Sequence, residues 1–153
     1  MNKINPLKSK YYDLYKNITE RVSKESVAKR RQVGAVIVLP SGLISLGWNG
    51  TGPGFNNNCE WSFEEGKGYD TGKTKPEVIH AERNALDKLL REGVSSEGSI
   101  LFVTTAPCIE CAKSIAAVGI TDVFYKDNYH DTQGIDHLKA AKIKVHKFSD
   151  TWL

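Results

Sequence analysis

The sequence has no apolar run near the roughly 18 residues that a membrane-spanning helix needs. Its opening residues, Met1 to Pro6, lack the hydrophobic core of a signal peptide. There is no internal repeat and no low-complexity tract. Cysteine is scarce. Cys59 stands alone, Cys108 and Cys111 are separated by two residues, and an odd count builds no disulfide framework. These absences set aside membrane residence, secretion and a disulfide scaffold. The expected location is the cytoplasm, where thiols stay reduced and a close cysteine pair more often binds metal or does redox chemistry. Charge of one sign is also scarce. A formal net charge of +3 is too small to call for a nucleic-acid or membrane partner, and it suits an anionic small molecule.

What is present is the balance of a folded domain. Hydrophobic residues make up 40% and charged residues 25% of the chain, which argues against disorder. Its 153 residues suit a single domain over 1–153. Asn5-Pro6 reads as a helix start, and Leu7, Tyr11, Leu14, Tyr15, Ile18 and Val22 recur at helical spacing, so a helix is predicted over 6–24. A polar and basic link follows, ending in Lys29-Arg30-Arg31. Residues 33–39 are continuously apolar and β-branched, the mark of a strand buried on both faces. A Pro40-Ser41-Gly42 turn joins them to a second strand over 43–48, and the two form a predicted hairpin.

Residues 50–76 have no clear period and are rich in Gly and Asn, as functional loops often are. Beyond them a helix is predicted over 78–91, closed by Gly93, and a strand over 100–104. A helix over 108–118 then runs between Pro107 and Gly119. A strand over 120–125, a helix over 132–141 and an alternating strand over 143–148 complete the pattern. Lys144 and Lys147 suit an exposed sheet edge, with His146 pointing outward. Strands separated by helices imply parallel neighbours. The expected architecture is an α/β helix–sheet–helix sandwich with a mixed five-stranded sheet, its last two strands parallel.

Two segments carry chemistry, and both sit at helix starts: His80-Ala81-Glu82 and Pro107-Cys108-Ile109-Glu110-Cys111. One imidazole and two thiolates form a borderline-soft ligand set suited to zinc. Three protein ligands leave a fourth tetrahedral position open, the pattern of a catalytic site. Cys108 and Cys111 lie one helical turn apart, and a helix N-terminus favours thiolate. Zinc brings the pKa of a bound water toward roughly 7, but hydrolysis must also move protons to the leaving group. Glu82, two residues beyond His80, is the candidate shuttle. Other readings of the parts exist: a His-x-Glu on a solvated helix, a redox Cys-x-x-Cys, or half of a structural zinc site. The redox reading leaves His80 and Glu82 unexplained, and a four-cysteine site lacks its fourth cysteine. A small zinc-stabilised binding module would keep the fold without an open metal position.

Together the two segments resemble the zinc-dependent cytidine deaminase superfamily, whose signature pairs His-x-Glu with Pro-Cys-x-x-Cys. The likeness runs from about Ser23 to Phe148. It implies one catalytic zinc per chain on His80, Cys108 and Cys111, with Glu82 as catalytic residue. Within the superfamily the chain is similar to the deoxycytidylate (dCMP) deaminase branch, through residues 32–38, Gly47-Trp48-Asn49-Gly50 with Pro53, Asn84-Ala85, and Tyr129-His130-Asp131. That branch deaminates dCMP to dUMP and ammonia, and some members also accept dCTP. The runner-up, a tRNA adenosine deaminase-like enzyme acting on RNA, typically has a Glu before its Pro-Cys, where this chain has Ala106.

The resemblance implies further roles. Asn49 contacts the sugar and the backbone at Ala81 reads the cytosine edge, while Tyr129 by its own chemistry is a candidate to stack on or hydrogen-bond the substrate. Ser26, Lys29 and Arg30 fall in the phosphate-contacting link, although some relatives carry Arg where this chain has Glu25. His130 and His137 are expected on the surface. Cys59 falls where some relatives bind a structural zinc. No full ligand set accompanies it here, so a free thiol is expected. The branch also implies a homo-oligomer, often a hexamer, activated by dCTP and inhibited by dTTP, with Mg2+ accompanying a regulatory triphosphate. Candidate effector contacts are Gly47, Trp48, Gly50, Gly52 and Phe55, where glycine amides approach phosphates and an aromatic ring stacks on a base.

Overall fold

The computed structural model describes residues 9–62 and 72–149. The first helix, α1, spans Ser9–Ser23, and the predicted start at residue 6, with Leu7, lies outside the described residues. Its buried stripe is Tyr12, Tyr15, Thr19 and Val22. Leu14, expected on that stripe, is 48% exposed, because Tyr12 and Tyr15 already fill the space over the sheet. Strand β1 (Gly34–Val38) pairs antiparallel with β2 (Ile44–Trp48) as the predicted hairpin, and on its other side antiparallel with β5 (Ile100–Thr105). Strands β6 (Asp122–Asp127) and β7 (Lys144–Lys147) continue parallel, giving the order β2-β1-β5-β6-β7. The mixed five-stranded sheet with its last two strands parallel is therefore present.

The continuous apolar run of β1 is explained by burial on both faces. Ala35 and Ile37 belong to a core with Leu101, Val103, Val123 and three helices: α2 (Ala81–Glu92), α3 (Ile109–Ala117) and α4 (Gln133–Ala140). Val36 and Val38 face the other way, into a core of Tyr12, Tyr15, Phe102 and Phe124 under α1. Phe102 and Phe124 stack with centroids 4.7 Å apart, and Tyr12 tilts over both.

Two elements differ from the sequence expectation. Val78–Ile79 form strand β4, paired antiparallel with β3 (Gly50–Thr51), and the helix begins only at Ala81. Two β-branched residues just after Pro76 and Glu77 favour extended backbone, and the partner that secures it comes from far upstream, with Gly50 opposite Ile79 and Thr51 opposite Val78. His146 does not point outward. Its ring stacks on Phe124 at 4.6 Å and its Nε2 lies 3.2 Å from Asp122 Oδ2, because the parallel register sets it beside Phe124. Lys144 and Lys147 are exposed, as expected for an edge. His137 is half-buried on α4.

Gly47 is a close-packing position. A Cβ there would meet the carbonyl oxygen of Ala81 and lie 2.6 Å from Ala85 N, both backbone atoms of α2. Gly47→Ala should therefore lift α2 off β2 and cost about 3 kcal/mol of stability, the upper end for overpacking. Chemical denaturation measures it, and a loss below about 1 kcal/mol would contradict the packing.

Candidate active site

His80 is the residue before α2 and Cys108 the residue before α3, both in extended backbone (ψ 154° and 169°). Cys111 lies one turn into α3. His80 Nδ1 is 3.5 Å from Cys108 Sγ and 3.4 Å from Cys111 Sγ, and the three ligand atoms all lie within 4.8 Å of one another. Bonds of about 2.3 Å to sulfur and 2.0 Å to nitrogen in a tetrahedron give ligand separations of roughly 3.5–3.8 Å. The side chains present thus fit a tetrahedral zinc. His80 faces the open side, Cys108 is half-buried and Cys111 buried. Gly134 holds α4 against this turn, since a Cβ there would strike the Pro107 carbonyl and lie 2.9 Å from Cys108 C.

Electrostatics follow from this crowding. Pairing with Cys111 and proximity to His80 hold the Cys108 thiol well below its usual range, while the same pairing and burial push Cys111 up. The hydrogen bond with Cys108 raises His80. Glu82 is buried at 4% exposure, and that burial raises its carboxyl to about 6 although His80 works the other way. A carboxyl of that pKa both accepts and returns protons near neutrality.

His80, Glu82 and Cys108 line a cavity of about 620 Å³, together with Ala81, Asn49, Arg30 and Tyr129, and Cys111 lies buried behind them. Tyr129 and His130 pack ring on ring at 4.0 Å on its wall, so the exposed His130 belongs to the cavity rim. Asn49 lines the cavity with its amide engaged by protein: Oδ1 accepts from Val33 N (2.8 Å) and Nδ2 donates to the Arg31 carbonyl (2.7 Å). A sugar contact would have to share an atom with those bonds.

Other expected contacts lie elsewhere. The Ser26 hydroxyl is buried and donates to the Asn49 carbonyl at 2.7 Å, so it braces the wall instead of facing the cavity. Lys29 is outside the cavity lining, with its backbone N–H held by Glu60. Gly47 is buried in β2 against α2, which leaves no backbone open to a phosphate. Trp48 is half-buried with Lys88 Nζ 4.7 Å over its ring, so that face is covered. Gly50 has open space beside it, a Cβ on Gly52 would come within 3.3 Å of Ile79 Cδ1, and Phe55 is 59% exposed. Arg31 and Glu60 are cavity residues that sequence reasoning missed. The basic run pointed to Arg31. Nothing local pointed to Glu60, which meets residues about 30 positions earlier in the chain. Cys59 is buried and unbridged.

Residues 9–127 match the family model for the cytidine and deoxycytidylate deaminase zinc-binding region. The chain belongs to this deaminase family. It is 33% identical over 159 residues to the deoxycytidylate deaminase of enterobacteria phage T4, covering 81% of this chain and 82% of that one. It is also 33% identical over 134 residues to the Schizosaccharomyces pombe enzyme of the same name, covering 82% of this chain but 40% of that protein. The chain thus spans less than half of the yeast relative. The dCMP deaminase of cyanophage S-TIM5, crystallised with dCMP and dUMP, superposes with a TM-score of 0.83 at 39% identity, covering 95% of this chain and 99% of that one. The family's reactions are hydrolyses, and the His80, Cys108 and Cys111 cluster falls within its zinc-binding region.

Proposed function

We propose that the protein hydrolyses dCMP to dUMP and ammonia, with dCTP as a second substrate. The observation that carries this reading is the buried Glu82 beside the His80, Cys108 and Cys111 triangle, lining with His80 and Cys108 a nucleotide-sized cavity that has Arg30 and Arg31 in its wall. The likeness to the S-TIM5 enzyme supports the substrate class.

In this reading His80, Cys108 and Cys111 hold one zinc. Bound there, zinc supplies a Lewis acid that makes water nucleophilic near neutral pH. Glu82 would accept one proton of the attacking water and pass it to the ring nitrogen, then take the second proton from the oxygen added at the ring carbon and pass it to the departing amine, so that dCMP and water become dUMP and ammonia. The backbone at Ala81 meets the base edge, Tyr129 packs on the substrate, and Asn49 holds the wall beside the sugar. Arg30, with Arg31 beside it, offers the bidentate fork that suits a phosphate.

An ammonia-release assay across cytidine, deoxycytidine, CMP, dCMP, dCTP and an adenosine-containing RNA hairpin tests the reading. The highest kcat/KM is expected for dCMP. Turnover of the hairpin alone would establish a tRNA adenosine deaminase-like activity instead.

The reading extends to a single domain over 1–153 in the cytoplasm, assembled as a homo-oligomer, with a hexamer the expected form. Among the described residues no helix is long and apolar enough to cross a membrane. Activation by dCTP and inhibition by dTTP, with Mg2+ on the triphosphate, would act through the Gly50 to Phe55 segment, where the open space beside Gly50 and Gly54 and the exposed Phe55 suit a nucleotide. Saturation curves for dCMP that neither effector moves would remove regulation and leave the deaminase reading standing.

A further inference from the structure

We infer that Glu60 is a positioning residue for the phosphate end of the substrate, an inference that rests on the monophosphate reading above. The link between α1 and β1 carries the arginines of the cavity wall, yet residues 28–33 form neither helix nor strand. Such a segment fixes a phosphate only if its backbone is held. Glu60 holds it directly: one carboxylate oxygen, Oε1, accepts from Lys29 N at 2.8 Å and from Arg30 N at 2.9 Å. Two consecutive N–H groups converging on one oxygen make a small anion site, filled here by the protein's own carboxylate. Bonds to a charged acceptor are about twice as strong as neutral ones, so this clamp holds the link more firmly than a neutral acceptor would.

The clamp is anchored at its own end. Glu60 bridges Thr74, and on either side Lys75 N donates to the Cys59 carbonyl at 2.7 Å and Trp61 N to the Lys73 carbonyl at 2.9 Å. The other end of the link is pinned independently. Asn49 binds Val33 N and the Arg31 carbonyl, and Gln32 Nε2 donates to the Ser26 carbonyl at 2.7 Å. Arg30 and Arg31 therefore sit between two fixed points. A carboxylate in a cavity meant for an anion would ordinarily repel the ligand. Here Oε1 faces two backbone donors, so the carboxylate orders the arginines while the guanidinium groups keep their charge for the substrate. Glu60 does not act on the reacting atoms, which lie at His80 and Glu82.

The test compares dCMP with deoxycytidine, which lacks the phosphate, in the zinc-loaded enzyme. Glu60→Ala should raise KM for dCMP about tenfold with kcat changed less than about twofold, a scale set by small displacements of a positioning group. The ratio of kcat/KM for dCMP to that for deoxycytidine should fall by the same factor. Glu60→Gln keeps an acceptor oxygen and should restore most of the ratio. Equal losses on both substrates would mean that Glu60 merely supports the fold, and no loss on either would mean that the clamp is idle. Each result overturns the role while leaving the dCMP reading intact. A wild-type enzyme that turns over deoxycytidine as well as dCMP overturns the monophosphate reading and this role with it.

Discussion

Glu82→Gln is expected to lower ammonia release from dCMP by about 10³-fold while zinc content and fold stay as they are. Glutamine has nearly the shape of glutamate but cannot take a proton from water and hand it on. In the proposed reaction this one side chain serves every proton transfer, so no neighbour replaces it. Steady-state turnover, metal analysis and circular dichroism on the same sample check the claim. A variant keeping more than about a tenth of the activity would contradict the role. The same substitution has a second signature in the metal-free protein. Burial raises the Glu82 carboxyl from 4.5 to about 6, so the native state binds that proton more tightly than the unfolded chain does. Stability is therefore lost as pH rises through this window, and glutamine has no charge to bury. Above pH 7, metal-free Glu82→Gln should be more stable than wild type by about 2 kcal/mol, the two converging below about pH 4.5.

Cys108→Ser should lose most of the zinc and, with it, nearly all activity. Serine offers a hydroxyl that is not ionised near neutrality, where the cysteine thiol is already held low by Cys111 and His80. It also removes one of three ligands from a site that has only three to offer among the described residues. Cys59→Ser provides the contrast. Cys59 is buried in the segment that carries Glu60, and its thiol takes no part in the His80 cluster. Metal analysis after exhaustive dialysis should find about one zinc per wild-type chain, nearly as much in Cys59→Ser, and about a tenth or less in Cys108→Ser. Loss of the metal in Cys59→Ser, with Cys108→Ser still loaded, would move the site elsewhere.

The order of the helices and of the five strands of the main sheet was legible along the chain because each carries its own period and its own stops. The apolar run of β1, the helical spacing of the aromatics before it, and Gly93 and Gly119 at helix ends are local signals, and Gly93 and Gly119 adopt the left-handed conformations that such ends require (φ 65° and 84°). The chemistry was legible for the same reason. His80-Ala81-Glu82 and Cys108 to Cys111 are each short enough to read as ligand and shuttle types at a helix start.

Only the tertiary structure decided which distant groups meet. Val78–Ile79 became a strand because Gly50–Thr51 came alongside, a pairing that no helical period reveals. His146 turned inward because parallel register set it beside Phe124, and a one-residue slip would have reversed it. Gly47 proved to be a packing position because α2 crosses β2 at backbone distance. The Asn49 amide, chemically suited to a sugar, is turned to Val33 and Arg31 by the fold of the link. Glu60 reached Lys29 and Arg30 across some 30 residues. Sequence thus determined the residue types and the elements that present them, since both depend on neighbours within a few positions. The cavity wall, its charge pattern and the orientation of its polar groups depend on contacts between segments far apart in the chain, which only folding brings within hydrogen-bond range.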